Sequence, residues 1–507
     1  MSKLKLFIVL NLFLTSETAK ILAVIPAPAL SHQLFFRPLI EELVKRGHEL
    51  TVITTDPAYS NTKPPANLTE IDVHDISYTV YKSVFCNNLR GKNDMHMQFR
   101  TLLDALTQVF EVQYTSEPIQ NLMKENRRFD LVIIEAYYRI TAVYAYIYKV
   151  PAVLVSSFGM SINNPEVIGA PVNPLYYPSV IRQRIVNMTL IEYISEIYNE
   201  LWVHRQVYAH EEIENALLKK LIPDAPTIRD VLNNIYVMML NEFPPWDWNR
   251  PVPPSVVFMG PVIQKSEKEL PQDLRTYLDE SKSGVIYISF GTTVIESLLP
   301  PQKMQIFYKV FSELPYNVIW KWASNKTQNV PKNVKLVKWL PQPELLKHPN
   351  VKLFITQGGI HSTYEAIRAE VPMIGIPISL DQWFQTEHYG HKGIGVRLPF
   401  DTITEEVLRN TILKIIEDDS YRRSISRLRS LTYDQPQPPL HRFVWWIEHV
   451  LRHGGRHFRA PAANMKWSEM LELELVGIVV VTTVVSGTLM MYSLVRLMKC
   501  VRTWFVK

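Results

Sequence analysis

Short apolar runs alternate with amphipathic ones along most of the chain. Runs at residues 20–26, 50–54, 131–134, 152–155, 235–241 and 256–259 are rich in Ile, Val, Leu and Met and show little polar alternation. That pattern predicts strands buried on both faces, as in a parallel sheet. The loop 27–32 follows the first run, and a helix then extends to about Arg46, stopped by Gly47. This β-loop-α-β order opens a doubly wound sheet. Residues 60–128 alternate polar loops with helical runs, notably 97–112. Residues 156–210, with Phe158, Pro165, Pro171, Pro174, Tyr176, Tyr177 and Pro178, predict long loops and loose helices. Their rings suit an apolar pocket, a membrane surface or plain core.

The pattern then repeats. The prolines at 251, 253 and 254 and the polar stretch 264–279 read as a linker. Strands are expected at 285–290, 318–321, 334–337, 351–356 and 373–378. Helices are expected around 302–311, 362–369 and 405–417. A basic stretch, 422–429, leads to a break at 435–439. The aromatic, amphipathic 441–453 is expected to cross back over the first half. The chain's 507 residues exceed one ordinary core, so two domains are expected.

The ends differ from the body. Residues 1–19 carry Lys3 and Lys5, an apolar stretch at 6–14, then small and polar residues, as a secretory signal peptide does. Residues 475–495 hold no charge, long enough for a helix across a bilayer. Arg496, Lys499, Arg502 and Lys507 follow, which predicts a cytosolic tail at 496–507 and a luminal body. In that compartment Asn67, Asn187 and Asn325, each in an Asn-x-Thr triplet, are candidate glycosylation sites. The two cysteines, Cys86 and Cys500, support neither a disulfide framework nor a zinc site. The net charge of +5 comes without a long basic run, so nothing marks a nucleic-acid partner.

The chemistry concentrates in residues 339–382. Gln357-Gly358-Gly359 lies between a strand and a helix, where backbone N–H groups can approach an anion. Trp339 offers a flat stacking surface, with the Gln342 amide three residues on. Asp381-Gln382 ends the segment just past a strand, with side chains suited to sugar hydroxyls. A nicotinamide enzyme would show G-x-G-x-x-G after the first strand, and residues 27–32 do not.

Five elements here, Trp339-Leu-Pro-Gln342, Phe354-Ile-Thr-Gln-Gly-Gly359, Ser362 to Glu365, Pro372-Met-Ile-Gly-Ile-Pro377 and Asp381-Gln382, resemble the signature of the membrane-bound UDP-glycosyltransferases. Gln357, where many relatives have His, resembles the insect branch. The resemblance implies two Rossmann-like α/β domains facing a cleft, the GT-B type. It implies a signal peptide at 1–19, an acceptor domain at 20–265 and a UDP-sugar domain at 266–440. A return helix and juxtamembrane segment at 441–474, the membrane helix 475–495 and the tail would follow. Trp339 would stack on uracil, Gln342 would contact the nucleoside and Glu365 would bind ribose. Gln357 and the backbone from Gly358 through Gly359 and His361 to Ser362 would hold the diphosphate, and Thr292 would bond a phosphate. Asp381 and Gln382 would grip the sugar, His32 would act as base and Glu135 as its carboxylate partner. The implied reaction is inverting, metal-independent transfer of a hexose, with glucose favoured, to a small lipophilic acceptor, in the endoplasmic reticulum membrane. No cofactor is implied. The competing reading is a tethered binder of apolar molecules that has lost transfer. Nothing in the pattern decides between a monomer and a homo- or hetero-oligomer.

Overall fold

The computed structural model describes residues 18–86, 94–161, 163–262, 269–291, 301–322 and 329–505. Two all-parallel sheets organise it. The first contains β1 (Lys20–Ile25), β2 (Glu49–Thr54), β3 (Leu68–Asp72), β4 (Leu131–Glu135), β5 (Ala152–Ser156), β6 (Ile235–Leu240) and β7 (Val256–Phe258). Their order is β3-β2-β1-β4-β5-β6-β7. The second contains β8 (Val285–Ser289), β9 (Asn317–Lys321), β10 (Val334–Val337), β11 (Val351–Thr356), β12 (Met373–Gly375) and β13 (Gly395–Arg397), ordered β10-β9-β8-β11-β12-β13. The strand order reverses between β1 and β4 in one sheet and between β8 and β11 in the other. At such points the loops leaving the strands diverge and open a crevice.

The apolar runs became strands because helices cover both faces. All of β1 except Lys20 is buried, as are all of β4 and β8. The helix Pro439–His453 crosses from the second half back onto the first. Phe443, Val444, Ile447 and Val450 share one core cluster with Phe36, Leu39 and Leu43 of the helix Leu30–Lys45. Each such side chain contributes about 1.5–3 kcal/mol when taken from water.

Four local expectations are corrected. The edge strand β3 and the three-residue β13 were not expected; only Leu68 of β3 is buried, so no apolar run marks it. The polar stretch 264–279 holds part of a helix, Gln272–Glu280, which buries only Leu274 and Leu278. Residues 190–210, expected as loops and loose helices, lie in a 32-residue helix, Leu190–Leu221, opened by a Thr189/Glu192 capping box. Its inward face includes Glu200, His210 and Glu214, and these polar residues hide the period. Finally, His32 sits in a helix that begins at Leu30, not in the loop before it.

At the C-terminus a single helix runs from Leu473 to Phe505. Its span Leu473–Trp504 is long and apolar enough to cross a membrane, and its apolar stretch packs against nothing else among the described residues. It exceeds the expected 475–495 at both ends. Residues 1–17 of the expected signal peptide, Thr292 and Asn325 lie outside the described residues.

Candidate active site

The crevice of the first sheet is built by β1, β4 and β5. After β1, the Gln33 amide donates to Ile25 O and Ala27 O, both at 2.9 Å, and fixes the turn into the helix. His32, one residue earlier, faces the end of β4. Its Nδ1 contacts Glu135 Oε1, and the Ser157 hydroxyl after β5 lies 3.1 Å from the same nitrogen. That hydroxyl also donates to Glu135 Oε1 at 3.3 Å. Glu135 is the last residue of β4 and fully buried; its Oε2 has no partner among the described residues. Tyr137 and Phe158 wall the imidazole at 6.0 and 5.9 Å between centroids. Burial alone would lower the His32 pKa. The charge and hydrogen bond of Glu135, with the charge of Asp381, outweigh it and hold the pKa above 6.5.

The second sheet supplies the opposite wall. After β11, Gly358 takes φ +91° and Gly359 caps the helix Ile360–Ala369, whose N–H groups face the crevice end of the strand. Gln357 is buried against Gly291, and its Oε1 has no partner among the described residues. His361, in the first turn, is held neutral: burial first, then the charge of His32, push its pKa to about 3. Its ring lies 5.8 Å from Phe35 of the first half.

One turn deeper is a polar cluster. Gln342 Nε2 donates to Ser362 Oγ at 3.0 Å and to Glu365 Oε2 at 2.6 Å, and the Tyr287 hydroxyl donates to Gln342 Oε1 at 2.8 Å. Glu365 lies in the second turn of the helix. Burial raises its pKa to about 7, against the Gln342 hydrogen bond, which lowers it. Trp339 is 58 % exposed, with the Lys321 ammonium 4.4 Å from its ring centroid. A large exposed indole beside a buried amide–carboxylate pair is a ready stacking platform.

After β12 the chain turns through Leu380, at φ +48°, into the helix Gln382–His391. Gln382 Oε1 accepts from Ile378 N at 2.9 Å and Ser379 N at 3.0 Å, fixing this turn. The Leu380 N–H donates across the cleft to Gln98 Oε1 at 3.2 Å. Asp381 thereby faces the first half; burial raises its pKa to about 6, and the charge of His32 lowers it.

The structure therefore brings His32, Glu135, His361 and Asp381 together, with Gln342, Gln357, Trp339, Ser362, Glu365 and Gln382 on the second-half wall. Ser157 and Lys321 were missed. A lone Ser after a strand carries no signal, and the Lys321–Trp339 contact joins residues of separate elements. Of the candidate glycosylation sites, Asn187 is exposed at φ +53°, whereas the Asn67 amide donates to Val44 O and His48 O.

The profile of the family described as "UDP-glucoronosyl and UDP-glucosyl transferase" matches residues 19–504. The chain belongs to this family. It is 31 % identical to the ecdysteroid UDP-glucosyltransferase of Spodoptera littoralis nuclear polyhedrosis virus, over 94 % of this chain and 96 % of that one. UDP-glucosyltransferase 2 of Dactylopius coccus is 29 % identical over 92 % and 91 %. Human UDP-glucuronosyltransferase 2B10 is 28 % identical over 87 % and 86 %. Among solved structures, the glycotransferase of kitacinnamycin covers 86 % of this chain and 100 % of its own, with a TM-score of 0.60 at 18 % identity. The calicheamicin glycosyltransferase CalG4 gives 0.56 at 17 % identity, over 86 % of this chain and 99 % of its own. Both share the two-domain GT-B fold. The UDP-glycosyltransferase thus has its two sheets facing one cleft, a UDP-sugar as donor, and a C-terminal helix fit to anchor it.

Proposed function

We propose that this UDP-glycosyltransferase moves a hexose, glucose in the first instance, from its UDP-sugar to the hydroxyl of a small lipophilic acceptor. The observation that carries this reading is the meeting of His32 and Glu135 from one half with Asp381 from the other. The relatives named for ecdysteroid glucosylation favour an acceptor of steroid or phenol size. Nδ1 of His32 is engaged by Glu135 and Ser157, so Nε2 is the atom left to take the acceptor proton. The oxygen so freed attacks the anomeric carbon from the side opposite the diphosphate. The carbon–oxygen bond to the diphosphate breaks, UDP leaves with the electron pair, and the configuration inverts. Asp381 and Gln382 hold sugar hydroxyls, and Trp339, Gln342 and Glu365 hold the nucleoside. Gln357, the helix N-terminus with His361 and Ser362, and Thr292 receive the diphosphate. The Gln357 amide can donate a hydrogen bond but carries no charge, so leaving-group stabilisation there is independent of pH. The enzyme works in the endoplasmic reticulum membrane with its body luminal and its tail cytosolic.

Two results test the chemistry. The base must be neutral to act, so kcat/KM rises with pH as His32 loses its proton, at a pKa above 6.5. Glu135→Gln removes the main influence opposing burial, so the rising limb moves to lower pH and the maximum falls. A limb that stays in place removes Glu135 from its role. The second result concerns metal. No group of three His, Cys, Asp or Glu side chains among the described residues is arranged to hold one, and backbone amides serve the diphosphate. Turnover measured in excess EDTA should equal the untreated rate, and a loss restored by magnesium would overturn the metal-free reading. A donor-by-acceptor screen in microsomes identifies sugar and acceptor, and no UDP release with any acceptor would favour a mere binder.

A further inference from the structure

The helix Leu190–Leu221 carries a second apolar face. Leu190, Ile191, Ile194, Tyr198 and Leu201 are 75, 81, 58, 62 and 40 % exposed. At 100° per residue they fall within a sector of about 100° over the first three turns. Leu175 and Tyr176, also exposed, extend it, and the Tyr193 hydroxyl donates to Leu175 O at 3.4 Å. The inward face of the helix is a different one, through Glu200, Val203, Val207 and Glu214. A contiguous exposed apolar face rimmed by polar residues marks a contact surface rather than ordinary scatter.

The chain itself indicates what lies against it. Tyr208 stands two turns beyond Leu201 on the same face, and its hydroxyl donates to Glu166 Oε2 at 2.7 Å. Glu166 O accepts from Asn464 N at 2.7 Å, and Arg229 bridges Glu166 Oε1 at 2.7 Å and Asn464 O at 3.0 Å. Nearby, Gly169 packs so closely that a β-carbon would lie 2.7 Å from Ala463 N. The segment leading to the apolar helix Leu473–Phe505 is therefore fastened to this helix face. Eight residues separate Asn464 from Leu473, so the nine steps between them reach at most about 30 Å. Leu190 lies only about 27 Å along the helix from Tyr208.

We propose that the first three turns of Leu190–Leu221, with Leu175 and Tyr176, rest in the interfacial layer of the bilayer that Leu473–Phe505 enters. The helix lies along the membrane plane, apolar sector inward, with Tyr176 and Tyr198 at headgroup depth. This rests on the reading of Leu473–Phe505 as a membrane helix. It places the front half where lipid-dissolved acceptors arrive.

The test uses the full chain in bilayer nanodiscs, with Cys86 and Cys500 replaced by Ser and one fluorophore per variant. Labels at Ile191→Cys, Tyr198→Cys, Glu417→Cys and Val480→Cys are read against nitroxide-labelled lipid and aqueous iodide. Lipid quenching of the 191, 198 and 480 labels, with the exposed 417 label quenched only by iodide, is the expected result. If the 480 label is quenched but the 191 label behaves like 417, the proposal fails and the membrane helix stands. If the 191 label is shielded from both quenchers, a protein partner covers the face and the proposal fails. If the 480 label escapes lipid quenching, the membrane helix itself is refuted, and the proposal with it. In activity, Ile191→Glu with Ile194→Glu raises KM for a membrane-partitioning acceptor and leaves KM for a water-soluble phenol unchanged.

Discussion

Transfer by the His32→Ala enzyme falls by about two to four orders of magnitude, the contribution of a positioned general base, while UDP binds as before. The separation follows from position. His32 belongs to the first sheet's crevice, whereas the described residues assigned to uracil, ribose and diphosphate stand on the second-half wall. Removing the imidazole also leaves Glu135, already fully buried with one oxygen unpartnered, without its neighbour. UDP release with a simple phenol, paired with calorimetric titration of UDP, reads the two quantities separately. Wild-type turnover would sink the assignment, and lost UDP affinity would show that the replacement disturbed the second half as well.

Gly358→Ala carries the second large effect, on stability and donor affinity together. The φ of +91° is costly for any side chain, and a β-carbon there would collide with Thr386 Cγ2. The backbone term is about 1–2 kcal/mol and overpacking adds about 1–3 kcal/mol. The two parts can be separated. Thr386→Ser removes Cγ2 but keeps the hydroxyl that donates to Gln382 O at 2.8 Å. Adding it to Gly358→Ala should restore the steric part and leave the backbone part. Urea denaturation of the two variants measures this, with KM for the UDP-sugar following the displacement of the Gly358–Gly359 turn. A single variant as stable as wild type would show that the turn relaxes freely.

The fold was legible where burial is two-sided. β1 beyond Lys20, β4 and β8 have no solvent face, so their sequences read as apolar runs, and in β11 only Lys352 interrupts the pattern. β3 was hidden because it sits at a sheet edge, with Glu70 and Asp72 along it. The long helix was hidden for the opposite reason: it buries Glu200 and Glu214, each paired with an arginine, Arg182 or Arg139. The candidate site was legible as a proposal where residues are close in sequence, as from Trp339 to Gln382, and by resemblance for His32 and Glu135. Ser157 was not, because its meaning lies in the parallel pairing that sets the end of β5 beside the end of β4.

The chain passes between the halves twice, once after β7 and again between Tyr433 and Pro439. The passages run side by side, since a β-carbon on Gly260 would lie 3.5 Å from Gln435 Nε2. Because the second passage ends on the front half before the apolar C-terminal helix begins, a lipid sheet would grip that half alone. The nucleotide-bearing half then meets the membrane only by way of its neighbour, through this paired strap and through buried contacts such as Trp246 Nε1 to Gln385 Oε1 at 2.7 Å.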